Sequence, residues 1–537
     1  MIARLALVLA FILGFGASAV AAPPPASVYS PQPRYMSAGG SRFNLAQEAK
    51  LTSSAGVQYR MSRITVPLPA WPASNQRFLL VNYESSVGQM LSCGPGLVVD
   101  AVSVWYNGVE YPVSYKGNFG SYFVPDQSIV LMDPVVGLNP PANATEYLNI
   151  ATHSIGATDT YCVSGFIALK EQSETSQGFS VQATAVAQVH TNTPTLADSV
   201  GIQLAPIGGM FATGYVPSPT TGPVVLDICD SIGDAKGYIR ANAGARAAMG
   251  MLHIAMDDSA SGRISEFNTC SIGNGFSSYY TPGYEGDVLF QVVQQLGNVP
   301  WNQYNNELAV NVFGTGYSAF QSQLVLLKNY MYARFGKMPW IQFTGTTEGT
   351  DPTTFGGVVA NQTYLNANFG PDPASTRRQA ITLIQGGTIS DAYIDYTTGV
   401  TEDASVPDTA KWKSPNFSTT LNTAVTGNSS TSAILNACPA LGLNMVFDTT
   451  GTPDNDVGKY QVITASGSPC TITMNWDQGH APLTIPTSHA ANVTVVGSYT
   501  TGDPAATSGI HPATAMHLLE ATAIEGQKTK YFALPFN

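Results

Sequence analysis

Ser231 closes the run Gly222-Pro-Val-Val-Leu-Asp-Ile-Cys-Asp230-Ser231-Ile-Gly-Asp234, an apolar stretch of strand length that breaks into Asp-Ser-Ile-Gly. A serine at the carboxyl end of a buried strand, with a helix to follow, stands where open α/β sheets place nucleophiles and ligands. Its hydroxyl is a poor nucleophile until a base takes its proton. A carbonyl under attack also develops an oxyanion that needs preorganised N–H donors. Three further segments offer such parts in chain order: Asn268-Thr-Cys-Ser-Ile-Gly273, Phe313-Gly314-Thr-Gly316 and Ser508-Gly-Ile-His511-Pro512. An isolated Asp-Ser pair is usually only a turn or a helix cap, so the candidate rests on this strand context and on the ordered segments that follow. The chemistry they point to is acyl transfer through a serine.

The elements that must position these groups fall into distinct stretches. Residues 1–21 read as a signal peptide: Met-Ile-Ala-Arg, an apolar run from Leu5 to Phe15, then a small-residue cleavage site before Ala22. Residues 22–218 are strand-like, with Val, Tyr, Phe and Thr broken by Gly, Pro and Asn. Their clearest unit is a hairpin, Val102–Tyr106 and Val109–Tyr115 joined by Asn107-Gly108. Short strands at this spacing predict a β-sandwich. Pro217-Ser-Pro-Thr-Thr-Gly222 reads as a linker into a second unit, 222–537.

There strands alternate with helical patterns. The apolar run after Gly222 is the first strand, Asn242 caps a helix through Ala255, and Arg263–Asn268 is the second strand. Leu308–Phe313 is read as the third, Pro339–Phe343 as the fourth and Ala392–Tyr396 as the fifth, with helices at Ser318–Arg334 and from Ser375 to Leu383. This alternation predicts a mostly parallel sheet with helices on both faces. Residues 401–500 are a β-rich insertion, and a last helix starts near Pro512.

A formal charge of −12 with only 11% charged residues leaves no basic stripe to neutralise phosphates, which argues against a nucleic-acid partner. After the leader, no stretch is apolar and long enough for a transmembrane anchor. Six cysteines in an exported chain suggest disulfides, and chain-order pairing places Cys93 with Cys162, Cys229 with Cys270 and Cys438 with Cys470. For Cys229 and Cys270 the alternative is two buried free thiols. None has the spacing of a zinc site.

On its motifs the chain resembles the SGNH or GDSL-like hydrolases, serine esterases and lipases with a flavodoxin-like α/β/α sheet. Asp230-Ser231 matches the Gly-Asp-Ser motif with Cys229 in the glycine position, and Gly-Ile-His511-Pro512 matches the context of the catalytic histidine. The resemblance covers Gly222 to about Tyr396 and Thr501 to Phe532. It implies that the N–H groups of Ser231 and Gly273 hold the oxyanion, with Gly314 in the third segment, and that His511 is general base and then general acid. Two departures stand out. The third motif, Gly-x-Asn-Asp in the family, reads Gly314-Thr-Gly316-Tyr317, and the aspartate three residues before the histidine is Ser508. Asp503 is the nearest carboxylate in sequence that could orient His511. Asp477-Gln-Gly-His480 matches Asp-x-x-His but lacks the following proline and terminal helix. His517 and Glu520, at i,i+3 on the last helix, lack a third metal ligand.

The expectation is therefore an exported serine esterase, secreted or periplasmic, with a three-layer α/β/α unit behind an amino-terminal β-sandwich. Its substrate would be an acyl or acetyl ester, on a carbohydrate or lipid, and it would use no metal or organic cofactor. The competing expectation is a catalytically impaired relative that binds carbohydrate or surfaces.

Overall fold

The computed structural model describes residues 34–39, 43–45, 49–52, 59–94, 96–155, 160–163, 178–181, 185–194, 206–214, 222–233, 250–257, 262–271, 273–346, 349–350, 362–397, 411–412, 414–447, 461–475, 485, 487–503 and 506–534. The leader at 1–21, the proposed cap Asn242 and the Asp477–His480 segment lie outside the described residues.

The amino-terminal region forms two main antiparallel sheets. One runs Arg34–Ser37, Ile207–Gly214, Ser74–Asn82, Ser128–Leu131. The other runs Gly178–Val181, Tyr59–Pro67, Thr145–Ser154, Leu97–Tyr106, Val109–Pro112, with Tyr122–Val124 also paired to Leu97–Tyr106. The predicted hairpin turns at Asn107 and Gly108, both at positive φ (50° and 77°), the geometry in which Asn-Gly is the favoured pair.

The second unit is built on five parallel strands: β1 (Val224–Ile228), β2 (Ser265–Asn268), β3 (Gln303–Asn306), β4 (Trp340–Phe343) and β5 (Ala392–Ile394). Their spatial order is 2-1-3-4-5, the flavodoxin-like order. β1 is wholly buried, as a strand covered by helices on both faces must be. The helices are α1 (Gly250–Asp257), α2 (Glu285–Leu296), α3 (Tyr317–Phe335), α4 (Thr376–Gln385), α5 (Thr514–Glu525) and α6 (Thr529–Ala533). α1 packs against α5, and α3 against α4.

Local chemistry sets the helix ends. α2 carries Glu285 and Asp287 in its first turn, where the helix dipole favours negative charge, and stops at Gly297 in the left-handed region (φ 72°). Ser375 caps α4, its side chain accepting from the Arg378 N–H at 3.3 Å.

One expected strand moved. Leu308–Phe313 is not the third strand; β3 is the polar run Gln303-Tyr-Asn-Asn306, and Val310–Phe313 is a short helix in the loop beyond it. The polar strand is tolerable in the interior because its side chains find partners. Asn305 Nδ2 donates to Asp227 at 2.6 Å, Asn306 Nδ2 to Gln342 at 2.7 Å, and Gln303 Nε2 to the Tyr531 carbonyl at 3.0 Å.

The β-rich region and the α/β unit share one apolar core. Phe211 of the first sheet meets Phe267 of β2 at 5.5 Å, Phe267 stacks on Trp301 at 5.7 Å, and Trp301 meets Phe335 of α3 edge-on at 5.5 Å. The stretch between β5 and α5 makes a six-stranded antiparallel sheet with its own core, including Leu421, Phe447, Ile472 and Val495. It is pinned to the start of α5, where the Thr514 N–H donates to Gln461 at 3.0 Å and the Ala515 N–H to the Gly442 carbonyl at 3.2 Å.

Candidate functional site

In a sheet of order 2-1-3-4-5 the crevice opens at the carboxyl ends of β1 and β3, where the chain leaves toward opposite faces. Ser231 stands there, in the turn directly after β1, and is 5% exposed. The turn is held by Asp230. Its Oδ1 accepts from the Ile232 N–H at 2.9 Å, and its Oδ2 accepts from Asn311 Nδ2 at 3.2 Å. Its own N–H donates to Glu307 Oε2 at 3.4 Å. Gly233 must be glycine because a Cβ would lie 2.5 Å from the Cys229 Cβ.

Cys229 and Cys270 are disulfide-bonded, so the end of β1 is tied covalently to the end of β2. Cys438–Cys470 is the second disulfide, inside the inserted sheet. Cys93 is bonded as well, and the side chain of Cys162, its expected partner, lies outside the described residues.

The loop after β2 folds back over this turn. The Ser271 N–H and Asn274 Nδ2 both donate to the Cys229 carbonyl, at 3.4 and 3.5 Å, and Tyr279 OH donates to the Thr269 carbonyl at 3.0 Å. Gly273 sits in this loop at φ 78°, a conformation that favours glycine.

The loop after β3 contributes Asn311, which the sequence reading missed. Beyond Asp230, its Nδ2 also donates to the Asn274 carbonyl at 3.0 Å, so one exposed amide touches both other loops. The signal was present but hidden: once β3 is taken as 303–306, Asn311 falls in the crevice loop. Gly314 lies further on. It is exposed, its N–H faces the Val312 carbonyl, and its carbonyl accepts from Asn368 Nδ2 at 3.1 Å. The residue of this loop that reaches the Ser231 turn is Asn311, not Gly314.

His511 lies on the strand Ala506–Pro512, which leads into α5, and its side chain is outside the described residues. The strand pairs with Thr500–Asp503, His511 opposite Thr501 and Asp503 opposite Ala506. Asp503 is two residues along the strand from Thr501, the partner of His511, so the backbones of Asp503 and His511 are diagonal neighbours on the order of 8 Å apart.

Beneath the turn lies a group of buried carboxyls. Glu307, the first residue past β3, accepts from Tyr396 OH at 3.0 Å as well as from Asp230. Glu520 of α5 is fully buried, with His517 Nδ1 3.5 Å from its carboxylate. Burial raises Asp230, Glu307 and Glu520 above the ordinary carboxylate range, and Asp230 pushes Glu307 further the same way.

A second polar cluster is anchored three residues earlier on β1. Asp227, His253 of α1 and Glu266 of β2 bring one ligand atom each within 4.8 Å of one another, the one such trio among the described residues. His253 Nδ1 lies 2.9 Å from Glu266 and its Nε2 3.2 Å from Asn268 Nδ2. Burial raises Asp227 and carries Glu266 up to about 7, while it lowers His253. These are the conditions for sharing protons among neutral partners, and the same three groups are the set that could hold a metal.

The parallel sheet in this order, with an Asp-Ser turn at its switch point, has the flavodoxin-like arrangement that the resemblance to SGNH/GDSL-like hydrolases implies. Among solved structures the chain is similar to an acetylxylan esterase from Geobacillus stearothermophilus, at 15% identity over 33% of this chain and 77% of that one, TM-score 0.21. It is also similar to an acetyl xylan esterase from the rumen bacterium Butyrivibrio proteoclasticus, at 9% identity over 69% and 88%, TM-score 0.23. A possible lipase from Chitinophaga pinensis matches at 10% identity over 57% and 98%, TM-score 0.26. No protein-family model matches the chain, and no curated protein does.

Proposed function

We propose that the protein is an exported serine esterase. The observation that carries this reading is the clamp on the Asp230-Ser231 turn, which loops after β1, β2 and β3 all grip at the switch point of the sheet. Ser231 attacks the ester carbonyl, His511 takes its proton and later gives it to the leaving alcohol, and water then hydrolyses the acyl-enzyme. The N–H groups of Ser231 and Gly273 hold the oxyanion, and Asn311, which gives its two amide hydrogens to Asp230 and to the Asn274 carbonyl, ties together the loops that carry them. Asp503, a diagonal neighbour of His511 across the hairpin, orients its imidazole. The buried Glu307 and Asp230 fix the turn and do not touch substrate.

The leader-like residues 1–21 support export, and the Cys229–Cys270 and Cys438–Cys470 disulfides accord with it, since disulfides persist in oxidising compartments. Among the described residues no helix is long and apolar enough to cross a membrane. The substrate is a neutral acyl or acetyl ester.

The test is labelling of the mature protein with a fluorophosphonate probe and turnover of p-nitrophenyl acetate, beside Ser231→Ala. Labelling and turnover that both vanish in the variant support the esterase. A wild-type protein that neither labels nor turns over supports a binding protein on a hydrolase fold.

A further inference from the structure

Two hairpins of the amino-terminal region turn in the same way with different residues. Glu84–Ser86 and Gln89–Leu91 are joined by Val87-Gly88 at φ 51° and 78°, nearly the values at Asn107-Gly108. Such a turn needs positive φ at both positions, which Asn and Gly accept and a β-branched residue resists. Val87 is therefore strained where Asn107 is at ease.

Their surroundings differ too. Around Gly108 the nearest atom a Cβ would meet is 3.9 Å away, on Asn192. The Val87 hairpin is instead fastened to the loop after β2. Ser85 Oγ lies 3.2 Å from Ser271 Oγ and donates to Glu285 at 2.9 Å, Ser278 Oγ donates to the Val87 carbonyl at 3.3 Å, and the Glu285 N–H donates to the Gly88 carbonyl at 3.0 Å. The Val87 side chain is 53% exposed, yet its Cγ2 is 3.5 Å from where a Cβ on Gly273 would be. A strained, half-exposed valine is thus held beside the glycine assigned to the oxyanion.

We infer that Val87 forms an apolar wall for the acyl chain of the ester, so that the β-rich region helps set acyl-chain selectivity. The inference rests on the esterase reading above. Backbone strain retained at one turn, and avoided at its twin, points to a side chain kept for what it touches. An isopropyl group suits a hydrocarbon chain better than a hydroxyl-rich alcohol, which assigns it to the acyl side of the carbonyl.

The experiment compares kcat/KM for p-nitrophenyl acetate and p-nitrophenyl butyrate, a pair with one leaving group and two acyl lengths, in wild type, Val87→Asn, Val87→Gly and Asn107→Val. Val87→Asn and Val87→Gly both suit positive φ, so neither strains the fold. Each should lower the butyrate-to-acetate ratio about tenfold, the scale of a small apolar contact, whereas Asn107→Val should leave the ratio unchanged. A ratio within about twofold of wild type in both Val87 variants overturns the inference and leaves the esterase standing. Turnover of neither ester by the wild type overturns the esterase reading and the inference with it.

Discussion

Asp227 and Asp230 lie three residues apart at the end of β1, and each anchors a cluster of buried carboxyls, amides and a tyrosine. Around Asp227 every member is sealed in: Asn305 bridges it to Tyr531 of α6, and His253 and Glu266 close the far side. Around Asp230 the cluster is equally buried below, at Glu307 and Tyr396, but its upper member, Asn311, is exposed. The groups are alike and the position differs. Within the strands, polar groups can only satisfy one another, whereas at the carboxyl ends the diverging loops leave one amide facing solvent.

The largest expected effect separates the two asparagines. Asn311→Ala should lower kcat for p-nitrophenyl acetate about 10²-fold, the cost of a misplacement of about 1 Å once the loops around the Ser231 turn are untied, with thermal stability changed by about 1 kcal/mol or less because the site is exposed. Asn305→Ala should do the reverse. It strands the Asp227 carboxyl and the Tyr531 hydroxyl in the interior, costing about 2–4 kcal/mol in urea unfolding, while kcat of the folded fraction holds. Equal losses of activity in the two variants would erase the distinction.

Much of this arrangement was legible in the sequence, and for identifiable reasons. Val224–Ile228, Trp340–Phe343 and Ala392–Ile394 are dominated by apolar and β-branched residues, so their periodicity and length expose them, and the Asp-Ser break marked the turn at the switch point of the sheet. β3 was not legible. Gln303-Tyr-Asn-Asn306 is polar because its partners are Asp227, Gln342 and α6, all distant in sequence, and no local pattern encodes them. That one misplacement shifted the third loop and hid Asn311 behind Gly314. The pairing that sets Asp503 diagonally beside His511 was not legible either, since it runs through two irregularities between Thr501 and Asp503.

A second contrast is in pH. Glu266 holds its proton in the fold up to about 7, whereas in the unfolded chain it ionises near its ordinary value of 4.5. The folded state therefore binds more protons between those limits. Its contribution is fully present below pH 4.5, falls as pH rises through about 7, and is level above. Asp227, Asp230, Glu307 and Glu520, all raised, act in the same direction. His253, lowered by burial, opposes them in acid. Glu266→Gln should flatten the fall in unfolding free energy between pH 4.5 and 7 by about 1–3 kcal/mol without altering kcat. A pH profile parallel to wild type would mean that Glu266 is already ionised in the fold, paired with a protonated His253.

The smallest effects should come from the two tyrosines. Tyr531→Phe removes a hydroxyl that donates to Asn305 Oδ1 at 2.9 Å and keeps the ring and the backbone carbonyl that Gln303 uses. The loss is one neutral hydrogen bond, about 1 kcal/mol in stability, with no change in kcat. Tyr396→Phe removes the donor to Glu307 Oε1, at 3.0 Å, and Glu307 in turn receives the Asp230 N–H. Its stability cost should be similar, but the freed carboxyl loosens the turn that carries Ser231. A change of about 1 kcal/mol in that positioning is a roughly fivefold loss in kcat. Urea titrations and esterase assays on both variants read the two quantities separately. If Tyr531→Phe lost activity as Tyr396→Phe does, the Asp227 cluster would be coupled to the crevice rather than sealed beneath it.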